Sequence, residues 1–236
     1  MLKVINFTKS YDGKKNVVED LSLRVEKGEI FGFVGHNGAG KTTLIKAIVG
    51  IHDFDSGDIL IDGISIKDNP IMCKKSIAYI PDNPDIYQSL TGIEYLNFIA
   101  DVFEVGKKDR ESLIKKYATE LELYDDLNSI IGSYSHGMKQ KLVIIGALIH
   151  SPKLLILDEP FVGLDPKASF KLKEIMKERC RNGMSIFFSS HVLEVVEKLC
   201  DNVGIIKNGN LVIVDEVKKV VKNKSLENLF LEINNE

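Results

Sequence analysis

The residues GHNGAGKT, at positions 35–42, carry the densest chemical signal in the chain. Glycines at 35, 38 and 40 are followed at once by a lysine and a threonine, in the spacing G-x-x-x-x-G-K-[ST]. Such glycines let the backbone turn tightly and aim successive N–H groups inward. Those donors, with the N-terminus of a following helix, bind an anion. Gly35, His36, Asn37, Gly38, Ala39, Gly40, Lys41, Thr42 and Thr43 are therefore the candidate cradle for a triphosphate. Lys41 is expected to reach the β- and γ-phosphates, and the Thr42 hydroxyl to ligate Mg²⁺.

Asp158 and Glu159 close the apolar run LLILDEP. Carboxylates leaving a buried strand are costly to place without a partner, and parallel sheets bind ligands at the carboxyl ends of their strands. Asp158 is placed to hold Mg²⁺, directly or through water. Glu159 is placed to orient or deprotonate a water attacking the γ-phosphate. His191 follows a third strand, in FFSSH. A lone histidine there is more often structural, but this strand end belongs on the sheet edge of the phosphate loop. There an imidazole can hydrogen-bond the γ-phosphate and sense its loss. Tyr11, in SYDG, reads either as a turn aromatic covering core or as a face on which a purine stacks. YSHGMKQK (134–141) precedes the apolar run LVIIGALIH. Ser135 is a good N-cap and Gly137 admits a close backbone approach. The segment is a capped helix start, or a second phosphate-binding helix tip unable to face its own loop.

These groups need elements to hold them. IFGFVG (30–35) reads as a short apolar strand and TTLIKAIVG (42–50) as a helix ended by Gly50. Further strands are expected at LKVINF, VVEDLSLRVE, GDILIDG (57–63), SIAYI (76–80), LLILDEP (154–160) and SIFFSS (185–190). Helices are expected at 167–181 and 191–200, and a hairpin turning at Asn208-Gly209. From Leu90 to Tyr124 the period is helical. Ile93, Leu96, Ile99 and Phe103 lie on one face, and Leu113, Ile114, Tyr117 and Leu121 on another. Alternating strands and helices argue for an α/β fold with a largely parallel sheet covered on both faces. One domain is expected over 1–236. Its core would comprise 1–83, including an N-terminal β subdomain, and 151–215. A helical subdomain would occupy 84–150. A tail over 216–236, with an apolar stripe at Leu226, Leu229, Phe230 and Ile233, would pack as a helix.

Composition narrows the function classes. The 236 residues are 44% hydrophobic and 28% charged, so a real core is available and wholesale disorder is not expected. The net charge of −3 gives no global pull on nucleic acid or on an anionic membrane. No apolar run approaches the roughly 20 residues of a membrane span, and the opening MLKVINFTKSYDGKK lacks the apolar stretch of a secretory signal. Three scattered cysteines, without metal spacing, read as packing thiols in a reducing compartment.

Taken in order, these motifs resemble the nucleotide-binding subunit of ABC transporters over essentially the whole chain. The aromatic loop (Tyr11) is followed by Walker A (35–42), the signature (134–138) and Walker B (154–159). The D-loop (Gly163, Leu164, Asp165) and the switch histidine (His191) come last. The resemblance implies a P-loop NTPase core with a β subdomain and an inserted helical subdomain. It implies an ATPase that uses ATP and Mg²⁺, with two subunits closing head to tail around two ATP. Ser135 and Gly137 would complete the partner's site, and Asp165 would link the two. The helical insert would contact a separate integral membrane permease, so the chain would sit in the cytoplasm against the inner face of the cell membrane. Closure and reopening would drive alternating access.

Two departures from the family pattern stand out. The usual signature LSGGQ reads Tyr134-Ser135-His136-Gly137-Met138, and the Q-loop glutamine is replaced by Asp82, after Ile80-Pro81. Both resemble bacterial exporter cassettes with an ABC-2 type permease, as does the ending SLENLFLEI. By the same resemblance Asp82 becomes a candidate Mg²⁺ ligand. Ribosome-acting ABC ATPases usually join two cassettes in one chain, and DNA-repair members carry a long coiled coil; this sequence shows neither. A P-loop kinase would have no use for the signature. No nucleic-acid partner is expected.

Overall fold

The computed structural model describes residues 1–222 and 224–235, without the side chains of 234 and 235. Residues 223 and 236, at the inside and end of the expected tail, lie outside the described residues. The chain opens with β1 (Leu2–Ser10), β2 (Asn16–Val25) and β3 (Ile30–Val34), then α1 (Lys41–Ile48). Next come β4 (Ser56–Ile61), β5 (Ile64–Ser65), α2 (Pro70–Ser76) and β6 (Ile77–Ile80). Helices α3 (Gly92–Val102), α4 (Lys107–Glu120) and α5 (His136–Ile149) follow without an intervening strand. The remainder runs β7 (Leu154–Asp158), α6 (Pro166–Arg181), β8 (Ser185–Ser190) and α7 (Leu193–Leu199). It ends with β9 (Asn202–Lys207), β10 (Asn210–Glu216), α8 (Val217–Val220) and α9 (Leu226–Asn235).

The six-stranded sheet has the order β10-β9-β3-β8-β7-β6. Its five strands from β9 to β6 are parallel, and β10 joins antiparallel through a hairpin. Asn208 and Gly209 both take positive φ (50 and 82), which a two-residue hairpin turn of primed type requires. Strands β3, β7 and β8 are buried at every position, as expected of parallel strands covered on both faces. A second, antiparallel sheet, β2-β1-β4-β5, packs with α1 over one face, around Phe7, Phe31, Phe33 and Phe187. The other face carries α5, α6 and α7, with the α3–α4 pair beyond.

The helical segment folds as its sequence period requires. Thr91 and Glu94 form a reciprocal capping box at the start of α3. Leu96, Ile114, Tyr117 and Leu121 are buried between the helices. The expected elements are altered only locally. The helix expected at 191–200 begins at Leu193, because His191 and Val192 are spent leaving the sheet. Helix α2 was not expected, since seven residues are too few to show a period; its local signal is Asn69-Pro70, an N-cap followed by proline in the first turn. In the tail, Leu226 is fully buried and Leu229, Phe230 and Ile233 pack against the core, so the apolar stripe is the buried face of α9.

Candidate functional site

Strand order decides which loops meet. β3 leads to the glycine loop, β8 to His191 and β7 to Asp158-Glu159, and these strands are consecutive neighbours. β6, next to β7, leads to Asp82. All four are parallel, so all four deliver their side chains to one carboxyl edge.

The glycine loop needs its glycines. Gly40 caps α1 with φ 110, and a Cβ there would stand 2.7 Å from Val18 Cγ2 and 3.0 Å from the Val17 carbonyl oxygen. Its turn points the α1 N-terminus and the loop N–H groups at one place. Lys41 is nearly buried and donates to the carbonyls of Gly35 (2.6 Å) and His36 (3.2 Å). Burial pulls its ammonium below the usual lysine range, while the carboxylates of Glu159 and Asp158 act to raise it. Thr42 donates through Oγ1 to Asp158 Oδ2 at 2.8 Å.

Asp158 is 2% exposed. Its second oxygen accepts from Ser189 Oγ at 2.5 Å, and the same Ser189 oxygen accepts from the Glu159 N–H at 3.1 Å. Ser189 thus sets both carboxylate residues. Its signal in the sequence is only a pair of hydroxyl residues ending a strand of otherwise apolar centre. Glu159 has φ 50, a left-handed conformation that costs a non-glycine residue on the order of 1 kcal/mol. Its Oε2 accepts from the His191 main-chain N–H (3.2 Å) and lies 2.9 Å from His191 Nδ1. The histidine expected at the γ-phosphate is therefore tied to the neighbouring carboxylate.

Two adjoining cavities take in these groups. One, of about 230 Å³, is lined by Asn37, Gly38, Gly40, Lys41, Thr42, Thr43, Asp82, Asp158 and Glu159. The other, of about 680 Å³, is lined by Gly35, His36, Asn37, Asp82, Glu159, Ser190 and His191 among others. Thr42 and Asp158 offer hydroxyl and carboxylate oxygens side by side. This suits Mg²⁺, which takes few protein ligands and completes its shell with phosphate and water. Asp82 is exposed, borders both cavities, and accepts from the Asn83 N–H at 2.8 Å. Phe230 of α9 forms part of the larger wall, its ring 4.8 Å from that of His36. The apolar stripe of the tail showed which face would pack, but carried no signal that it would reach the phosphate loop.

Of the remaining candidates, Tyr11 borders this centre through Thr43 and the others lie apart from it. Tyr11 is 58% exposed, so it does not cover core. Its hydroxyl lies 3.4 Å from Thr43 Oγ1, and its ring meets His52 edge-on. Ser135 caps α5, accepting from Met138 N at 3.2 Å. Asp165 caps α6, accepting from Ala168 N at 2.8 Å, and pairs with Lys141 at 3.2 Å. Ser135, Gly137 and Asp165 form a separate group on the α5–α6 side, and none of them lines the two cavities.

Fold and site together define a P-loop NTPase with a mixed sheet and a helical subdomain. The family model described as ABC transporter matches residues 18–162, and the chain belongs to that family, among its ATP-binding subunits. It is 39% identical over 211 residues to the SkfA peptide export ATP-binding protein SkfE of Bacillus subtilis, covering 89% of this chain and 87% of that one. It is 33% identical to the ABC-type transporter ATP-binding protein EcsA of the same organism, covering 100% of this chain and 97% of the relative. The solved structure of an ATP-binding subunit of an ABC transporter superposes with a TM-score of 0.95 at 34% identity, covering 99% of both chains. The chain is thus an ATP-binding ABC ATPase subunit of a transporter.

Proposed function

We propose that this subunit hydrolyses Mg²⁺-ATP in a two-subunit sandwich and so drives a separate membrane permease, of ABC-2 type, in export. The observation that carries this reading is the division of its functional groups. Phosphate loop, carboxylates and histidine converge on one edge, while Ser135, Gly137 and Asp165 stand together elsewhere in the same chain. A second subunit, a copy or a sister chain, would bring that second group over the first. Hydrolysis is then conditional on closure.

Each residue has a role in this scheme. The loop N–H groups from Gly35 to Thr43 hold the phosphates, Lys41 supplies the cation among them, and Tyr11 offers its exposed ring to the base. Thr42 and Asp158 would hold Mg²⁺, with Asp82 at its border; the bound ion would neutralise charge on the β- and γ-phosphates. Glu159 orients or deprotonates the attacking water, and His191, paired with Glu159, fixes that carboxylate and reads the γ-phosphate. Ser135 and Gly137 present the α5 N-terminus to the partner's γ-phosphate.

The core would be 1–83 with 151–215, the permease-facing subdomain 84–150, and the tail 216–236. Exposed Tyr87, Phe98 and Val102 on the helical segment support a docking face there. No helix among the described residues is long and apolar enough to cross a membrane. A cytoplasmic location on the inner membrane face follows from the permease reading. Export is supported by the similarity to SkfE, a peptide export ATP-binding protein, and by the variant signature.

The test uses the Glu159→Gln variant, which should bind ATP with nearly no turnover and accumulate as ATP-dependent dimers in light scattering. Adding Ser135→Arg should abolish those dimers; dimers of undiminished amount would remove the trans-site reading.

A further inference from the structure

His136 stands where the usual signature has glycine, and its ring does not point into either cavity of the phosphate edge. It lies against Gly163. A Cβ built on Gly163 would stand 2.4 Å from His136 Cδ2 and 2.7 Å from Nε2, so the imidazole occupies the space a side chain at 163 would need. Gly163 also has φ +81, which a side chain tolerates poorly. One residue along, Gly137 leaves room for the Gly163 carbonyl oxygen, which would be 2.9 Å from a Cβ at 137. One turn further along α5, the Lys141 ammonium pairs with Asp165 Oδ2 at 3.2 Å, with the lysine side chain only 12% exposed. The other Asp165 oxygen is committed to the Ala168 N–H.

The first turns of α5 therefore grip residues 163–165 at three points. That loop continues directly from Glu159, whose carbonyl accepts from the Val162 N–H at 3.1 Å, and Phe161 packs edge-on against Phe188 of β8. A shift of the α5 tip is thus mechanically connected to the turn carrying the carboxylate of the chain's own site.

We propose that His136 is a positioning residue which, with the Lys141–Asp165 pair, makes the Ser135 helix tip and the 163–165 loop one rigid body, so that engagement of one nucleotide by the tip is transmitted to Glu159 of the other site. This rests on the reading that Ser135 and Gly137 complete a partner's site. A glycine at 136 would remove one of the three contacts and leave the tip held to the loop only by the Gly137 approach and the Lys141–Asp165 pair, a looser connection.

The test measures hydrolysis against ATP concentration with the full chain, alongside titration with a fluorescent ATP analogue. His136→Gly is expected to leave single-subunit nucleotide affinity unchanged, remove cooperativity from the rate curve, and lower maximal turnover by about fivefold or more. Lys141→Met should do the same without adding glycine flexibility to a helix, and Lys141→Arg should restore cooperativity. Gly163→Ala should be far less harmful in the His136→Gly background than alone, because only the φ strain then remains. Additive effects of the two substitutions, or a wild-type rate curve without cooperativity, would overturn the proposal. So would full cooperativity in His136→Gly and Lys141→Met. If instead the Glu159→Gln protein forms no dimers with ATP, it is the two-subunit reading that fails.

Discussion

Lys41 and Asp82 differ in how tightly the fold commits them. Lys41 is nearly buried and its ammonium faces loop carbonyls, with Glu159 and Asp158 close enough to act on its charge. Replacing it with alanine removes the cation from the cradle, together with its hydrogen bonds to the Gly35 and His36 carbonyls. ATP affinity of Lys41→Ala is expected to fall about 10- to 100-fold, the worth of hydrogen bonds to a charged group; a nucleotide titration reads it. Asp82 is exposed and held only by the Asn83 N–H. Asp82→Gln restores the family's usual residue and removes one negative charge beside Thr42 and Asp158. The Mg²⁺ concentration for half-maximal hydrolysis is expected to shift upward, and a magnesium titration of the rate checks it. At this scale the two carboxylates were legible as chemistry. Their setting was not, because Ser189 reaches Asp158 and Glu159 from another strand, 30 or 31 residues away.

The element that holds the site together is β8. It lies between β3 and β7, is buried at all six positions, and carries Ser189 and Ser190 at its end. Phe187 stacks on Phe31 at 5.6 Å and meets Phe33 at 5.5 Å, joining the central sheet to the core beneath the antiparallel sheet. Truncating it leaves a cavity the neighbouring strands cannot close without breaking their ladders. Phe187→Ala is expected to destabilise by about 3–5 kcal/mol, measured by denaturant unfolding. Strand and helix positions were largely readable from period and turn residues. The spatial order β3-β8-β7 was not, since any order of equally apolar strands satisfies the same local pattern.

Across the whole molecule, two cores meet at the central sheet, and the seam between core and helical segment carries a titratable group. His150, just past α5, stacks on Phe103 with centroids 3.7 Å apart and planes 7° apart. It lines a cavity of about 240 Å³ shared with Tyr79, Tyr95 and Ile99. Burial pushes its imidazole down to about 4, against an ordinary 6.5. Between those values the unfolded chain binds the additional proton. Stability is therefore lost as pH falls from 6.5 toward 4, and above 6.5 this residue has no effect. His150→Phe, which keeps the stack, is expected to flatten that loss by up to about 1.4 kcal/mol per pH unit. Urea unfolding at two pH values, one on each side of the ordinary histidine range, compares the two proteins. Helix α9 closes the molecule on the other side. It is tied by Leu226 N–H to Glu197 and by Lys207 to the Ile233 carbonyl, and it brings Phe230 to His36.

The phosphate loop was determined by the sequence alone, because eight contiguous residues contain both the glycines that set the backbone and the lysine and threonine that act from it. The same holds for the caps at Thr91, Ser135 and Asp165, whose hydrogen bonds reach only three residues ahead. The pairing of His191 with Glu159, the wedge of His136 over Gly163 and the approach of Phe230 to His36 were decided only by tertiary structure. Those contacts join segments far apart in the chain. Local backbone preference fixes which element forms, but the packing of whole faces chooses which elements become neighbours.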